Sequence, residues 1–351
     1  MGRIGLIGLI GFMLAAAAGG AEIVRYVDPD ATGTPEDGTT WAKAYASLNA
    51  ALTAEATNLV TAGNTFRIRC HSSGTDDTTA ATISSSWVTG ASNTLAIDAN
   101  STYTLAGTNA VLLTITSNYV RINGLYCEVT ESGGSNGRGI YVTGTVGDTD
   151  IRIGDCKITG TCTGTSQGQG ILVNDLGSTV VLYNTIVTNF VNDANTGFQA
   201  VNAMAGTVAI YNCTIYGNYY GILRPGGGAT TTVTNCAVGG NTDDFSGTMT
   251  IDYCCSDDGD GTHAQGPVSG DWDNEFTDAA GGDFTLLEAG NCVNHGTDDP
   301  GSGLYSDDFA GTDRDTYSPW DIGAYEFMSE APESATIPVF MHHYRSLQNA
   351  D

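Results

Sequence analysis

The residues of this chain best placed to do chemistry are three cations and a group of tyrosines. Arg121, Arg152 and Lys157 fall within one stretch of a chain that has 12 Lys and Arg against 39 Asp and Glu, and only two lysines. Such a group on an acidic protein is a candidate anion site. The chemistry it suits is β-elimination on a polyuronate, where a cation neutralises the sugar carboxylate and Lys or Arg abstracts the neighbouring proton. Asp148, Asp150, Asp155 and Glu128 lie close in sequence, so surface ion pairing of little energetic weight is the simpler expectation. Tyr183 and Tyr211, with Tyr216 nearby, can stack on sugar rings, but aromatic neighbours across strands also stabilise a sheet without any ligand.

Asp257, Asp258 and Asp260 are interleaved with Gly259 and Gly261, and a shorter acidic run, Asp28-Pro29-Asp30, lies three residues before Gly33. Carboxylates interleaved with Gly resemble a calcium loop. The spacing is not that of an EF-hand, and solvated acidic turns are the simpler reading. No cofactor is required, and Ca²⁺ is the one candidate ion. The five His have no metal-ligand spacing. No phosphate loop, dinucleotide fingerprint or nucleophile elbow occurs.

The elements that must carry these residues come from an internal repeat. A pattern of alternating apolar residues, a break at Asn or Asp, then a small or apolar residue recurs from Val120, Ile151, Val180, Val208, Thr231 and Met249. Aligned, Leu125, Cys156, Thr185, Cys213, Cys236 and Cys254 form one column, with steps of 31, 29, 28, 23 and 18 residues. Repeats of this length indicate a stacked solenoid. Period-2 alternation makes each copy a strand with one buried face. The break is a turn, and Asp155, Asn184, Asn212 and Asn235 stack there, able to hydrogen-bond along the stack and to adopt left-handed backbone. The same alignment puts Arg121 beside Arg152, and Tyr183 beside Tyr211, on outward columns. The nine Cys are expected to pack mainly as small buried thiols, with disulfides between neighbouring coils as the alternative.

Composition agrees. Gly accounts for 47 of 351 residues, roughly twice the usual share, and 29 of the 39 acids are Asp. Both residues favour turns over helices. A net charge of -27 excludes a nucleic-acid partner, which needs clustered Lys and Arg. Residues 1–21 have one cation, an apolar run and a small-residue end, the layout of a secretory signal peptide, with a membrane anchor as the competing reading. No membrane span is expected in the mature chain.

The two ends carry a resemblance. The opening from Tyr26 through Trp41 to Leu52, and the closing run from Phe276 through Asp283-Phe284 to Trp320-Asp321-Ile322-Gly323-Ala324-Tyr325-Glu326, resemble the ends of bacterial and phage secreted right-handed parallel β-helix repeat proteins with a DIGAYE-type C-terminal motif. The likeness spans about residues 23–328. It implies fold and says little of activity, because the architecture hosts lyases, hydrolases, adhesins and phage fibres. The Asp pairs, Gly-His-Gly and Arg-x-Lys of pectin-hydrolase-like β-helices are missing.

The expected organisation is a signal peptide over 1–21, an N-terminal strand and helix cap over 22–65, an all-β right-handed parallel β-helix over 66–256, a C-terminal β cap over 257–328, and a tail over 329–351. Apolar residues at 41, 45, 48, 52 and 59 predict an amphipathic helix that covers the first coil. In the tail, Phe340, Tyr344 and Leu347 have helical spacing. They are expected to dock on the chain's own solenoid, with self-association between copies as the alternative. The functional expectation is a secreted, cell-surface or virion-surface protein with a structural, assembly or adhesive role and a polysaccharide as candidate partner. The alternative is a polysaccharide lyase acting through Arg121, Arg152 and Lys157.

Overall fold

The computed structural model describes residues 20–144, 149–192, 197–226 and 228–328. Most of the candidate signal segment, Asp148, and the tail with Phe340, Tyr344 and Leu347 lie outside the described residues.

The chain forms a right-handed parallel β-helix. Its first face is a nine-stranded parallel sheet that begins with Glu22–Val27 against Thr65–Cys70 and ends at Thr250–Asp252. The second and third faces are seven-stranded, and successive strands of the chain visit the three faces in turn. Each coil thus returns to pair with the one before it, the stacked-coil geometry in which connections are right-handed.

Alternation decides what fills the interior. In Ile151–Gly154, Ile151 and Ile153 are fully buried while Arg152 points out, and the same holds for Val208 and Ile210 around Ala209. The aligned column Leu125, Cys156, Thr185, Cys213, Cys236 and Cys254 is buried throughout. All nine Cys are free thiols. Cys156, Cys213, Cys236 and Cys254 each donate to the carbonyl two residues earlier, at 3.1–3.4 Å. The thiols therefore satisfy their own turns.

Those turns need left-handed backbone. Asp155, Asn184, Asn212 and Asn235 have φ of 54°, 46°, 45° and 56°, and Gly124 takes the same position one coil earlier. Asn and Asp tolerate this conformation best among residues with a side chain.

The N-terminal helix differs from its expected form. The run from Trp41 breaks into a 3-10 turn at Trp41–Lys43 and helices at Leu48–Ala54 and Leu59–Ala62. Two separate caps explain the break. Ser47 accepts from Ala50 N at 3.1 Å, and Asn58 accepts from Thr61 N at 2.8 Å, so each restarts a helix. Leu48, Leu52 and Leu59 are buried over the first coil, whereas Trp41 stays 41% exposed and packs on Tyr26 at 4.5 Å.

The C-terminal segment has a second role beyond covering the last coil. Thr262 and Gln265 bridge to Asp252 and Cys255 at the end of the stack. The rest turns back along the side of the solenoid. A second core lies between the outer side of the second face (Ile186, Ala237, Cys255) and the segment's Trp272, Phe284, Ile322 and Ala324. This lateral strap reaches from Cys255 back to Tyr126, on which Phe309 stacks.

Candidate functional site

Arg121 and Arg152 are register neighbours on the first face, as aligned. Both turn to one carboxylate. Arg121 Nη2 lies 2.6 Å from Asp150 Oδ2, and Arg152 Nε lies 2.9 Å from Asp150 Oδ1. The two arginines, led by hydrogen bonds from Arg152, hold Asp150 below the usual carboxylate range against its partial burial. Arg67 likewise pairs with Asp98 and Glu22. Lys157 stands beyond the Asp155 turn on the second face, between Tyr126 and Ile186 in register. The turn puts the lysine and the two arginines on different faces. Among the described residues Lys157 has no carboxylate within ion-pair distance.

Tyr183 and Tyr211 are register neighbours too. Tyr183 folds back over Gly154, where a Cβ would lie 2.1 Å from its ring, and its hydroxyl donates to Asn123 at 3.1 Å. Its other side carries Tyr305, stacked at 4.9 Å and 8°. Both ring faces are therefore covered. Tyr211 and Tyr216 are half-buried, and Tyr216 packs on Phe284 at 5.5 Å.

Asp257, Asp258 and Asp260 are exposed, and two of them already accept hydrogen bonds. Asp257 accepts from Trp272 Nε1 at 2.9 Å and from Gly240 N at 2.8 Å, and Asp258 accepts from Asp244 N at 3.3 Å. Asp28 accepts from Asp30 N at 2.9 Å. Asp28 thus holds a local turn, Asp257 and Asp258 hold backbone N–H groups of Gly240 and Asp244, and Asp257 also holds the strap through Trp272.

The densest polar centre is one that residue spacing did not single out. Under the strap, Arg314 and Glu326 form a fully buried ion pair at 2.8 Å. Arg314 also donates to Asn184 Oδ1 at 3.1 Å and to the carbonyls of Gly323 and Ala324 at 3.0 Å. Asp321 accepts from Asn294 N and Phe327 N, while Asp308 accepts from Ala310, Thr312 and Glu326 N. Burial, with Asp321 alongside, pushes Glu326 up to about 8 against the pull of Arg314. Burial likewise lifts Asp155 to about 7, with Asp308 adding to the rise.

The turn column meets this centre directly. Asn184, Asn212 and Asn235 donate to the strap carbonyls of Asp307, Asp321 and Thr297 at 2.6, 2.8 and 2.8 Å. Along the stack itself, Asn184 reaches Asp155 at 3.2 Å and Asn235 reaches Asn212 at 3.4 Å. The signal that could have found the centre is the closing motif. Its Asp321 and Glu326 supply the acids, and its Ile322 and Ala324 enter the second core. A shallow cleft of about 280 Å³ opens beside it, lined by Asp299, Tyr305, Asp315 and Trp320.

Fold and polar centre together define a parallel β-helix protein whose C-terminal segment is hydrogen-bonded along its own turn column. No family model matches the sequence, and no curated protein is significantly similar to it. Among solved structures, that of pectate lyase Pel9A is similar at 14% identity and a TM-score of 0.37, over 87% of this chain and 96% of that one. No helix among the described residues is long and apolar enough to cross a membrane.

Proposed function

We propose that this chain is a non-catalytic secreted or surface β-helix protein, of the bacterial and phage repeat type its ends resemble, with a structural, assembly or adhesive role. The observation that carries the reading is the shared engagement of Arg121 and Arg152 by Asp150. A uronate-binding site needs cations free to meet the sugar carboxylate, and here the carboxylate is supplied by the protein. The covering of Tyr183 by Tyr305 supports the same reading, because it removes one ring from any sugar platform. A long stack whose polar groups are spent on its own lateral contacts suits a rigid spacer or surface element.

The lyase reading retains one supporting observation, the unpaired Lys157 among the described residues. Glycan binding rests on Tyr211 and Tyr216. One experiment separates these. The protein is incubated with alginate and pectate, with and without Ca²⁺, and unsaturated product is followed by absorbance while the same sample is imaged by negative stain. The structural reading expects no product, together with elongated particles or assemblies. Product that disappears in Lys157→Met overturns it in favour of the lyase. A glycan array that stays silent removes the tyrosine-based binding role.

A further inference from the structure

Cys255 and Cys292 differ from the other buried thiols. Cys156, Cys213, Cys236 and Cys254 lie in the turn column and donate to backbone carbonyls. Cys255 is the next residue along from Cys254, so strand alternation sends it to the opposite, outward side, into the second core. There it meets Cys292 of the strap. Both are fully buried, and their sulfurs and a carboxylate oxygen of the equally buried Glu275 lie within 4.8 Å of one another.

We propose that Cys255 and Cys292 form a disulfide that staples the C-terminal strap to the last coil of the solenoid. Each thiol gives up one hydrogen. The two electrons and two protons pass to a low-molecular-weight disulfide, which leaves as two thiols, and one Sγ–Sγ bond forms between the two residues.

The three residues could also hold a metal, and charge argues against it. Glu275 already accepts backbone N–H bonds from Val268, Asn291 and Cys292 at 2.7–2.9 Å, so its carboxylate is satisfied without a cation. A divalent ion bound by two thiolates and this carboxylate leaves one net negative charge in a dry pocket. Burial, with Cys255 and Glu275 beside it, pushes the Cys292 thiol well up and opposes the thiolate a metal would need. A disulfide adds no charge. It also closes a loop of 38 residues (255 to 292) that contains the whole antiparallel pair Phe276–Asp278 and Asp283–Leu286. That removes chain entropy from the unfolded state.

The pocket is closed in the folded chain, so the oxidant must act before the strap docks. The test is to refold the full chain in reduced and oxidised glutathione, alkylate the free thiols, and map peptides without reduction. The expected result is one linked peptide containing Cys255 and Cys292, with a mass lower by two hydrogens, and the other Cys alkylated. Reduction should then lower the thermal midpoint by roughly 5 °C, a shift missing from Cys255→Ala/Cys292→Ala. Nine alkylated Cys, a link between other positions, or stoichiometric zinc retained by the refolded chain would each overturn the proposal. The map is made on the unaltered chain, so it does not depend on the variant folding.

Discussion

The hydroxyl of Tyr305 donates to Oδ1 of Asn212 across 2.7 Å, joining residues 93 positions apart. The bond ties the strap to the turn column at a residue whose own backbone is left-handed. The same Tyr305 ring lies flat on Tyr183. Tyr305→Phe keeps the stack and removes only the hydrogen bond, so it should cost about 1 kcal/mol, whereas Tyr305→Ala, which also empties the contact, should cost about 3 kcal/mol. Denaturant unfolding measures both. Equal losses would mean that the hydrogen bond, and not the ring, carries the contact.

The Arg314–Glu326 pair is fully buried, and removing Arg314 leaves Glu326 either charged and unpaired above about pH 8 or protonated with its hydrogen bond to Arg314 lost below it. Arg314→Met should cost about 3–5 kcal/mol above pH 8 and less below it, where Glu326 takes up a proton. Arg314→Met with Glu326→Gln should recover part of that loss above pH 8, because no unpaired charge remains. A double-mutant cycle by thermal unfolding gives the coupling; simple additivity would show that the two charges do not sense each other.

Asp155 stands in the turn column where its neighbours on later coils are Asn. Burial raises it to about 7, while the unfolded chain titrates near 3.9. Between those values the folded state holds a proton that the unfolded state has released. Its stabilising contribution is therefore full below about pH 4 and is lost as pH rises through about 7. Asp155→Asn removes the titration and keeps a residue suited to positive φ. Its stability gain should be smallest near pH 4 and level off above pH 7 at roughly 2 kcal/mol after allowance for solvent screening. Unfolding midpoints measured from pH 4 to 8 check the trend; a gain that does not change with pH counts against it.

Asp257 accepts from Trp272 and Gly240, so its role is predicted to be that of an acceptor. Asp257→Ala should cost about 1–2 kcal/mol, and Ca²⁺ or chelator should leave the midpoint of the unaltered protein unchanged. A midpoint that rises with Ca²⁺ and loses the rise in Asp257→Ala would make the loop a calcium site.

Some of this was legible in the residues and some was not. Alternation at Ile151–Arg152–Ile153 is a local property, and a strand with one apolar side has one way to face a core. The Asn turns were legible because left-handed backbone restricts residue type. The apolar spacing from Trp41 predicts one helix, but the caps at Ser47 and Asn58 divide it into shorter turns. Arg121, Arg152 and Tyr183 were correctly placed beside their neighbours. Asp150 was among the sequence neighbours expected to pair with the arginines, and it does; what spacing could not show was that Tyr305 would cover Tyr183.

The sequence by itself determined a parallel coil with inward aliphatics, a thiol column and left-handed Asn turns, because each follows from contacts one repeat apart. Only the tertiary structure decided where residues 257–328 go. Docking Phe309, Tyr305, Arg314 and the Asp321–Glu326 run against coils far earlier in the chain depends on shape and hydrogen-bond complementarity between segments about 90–190 positions apart. No local pattern encodes that distance, and it is this docking that gives Asp257 and Tyr183 their partners in the C-terminal segment.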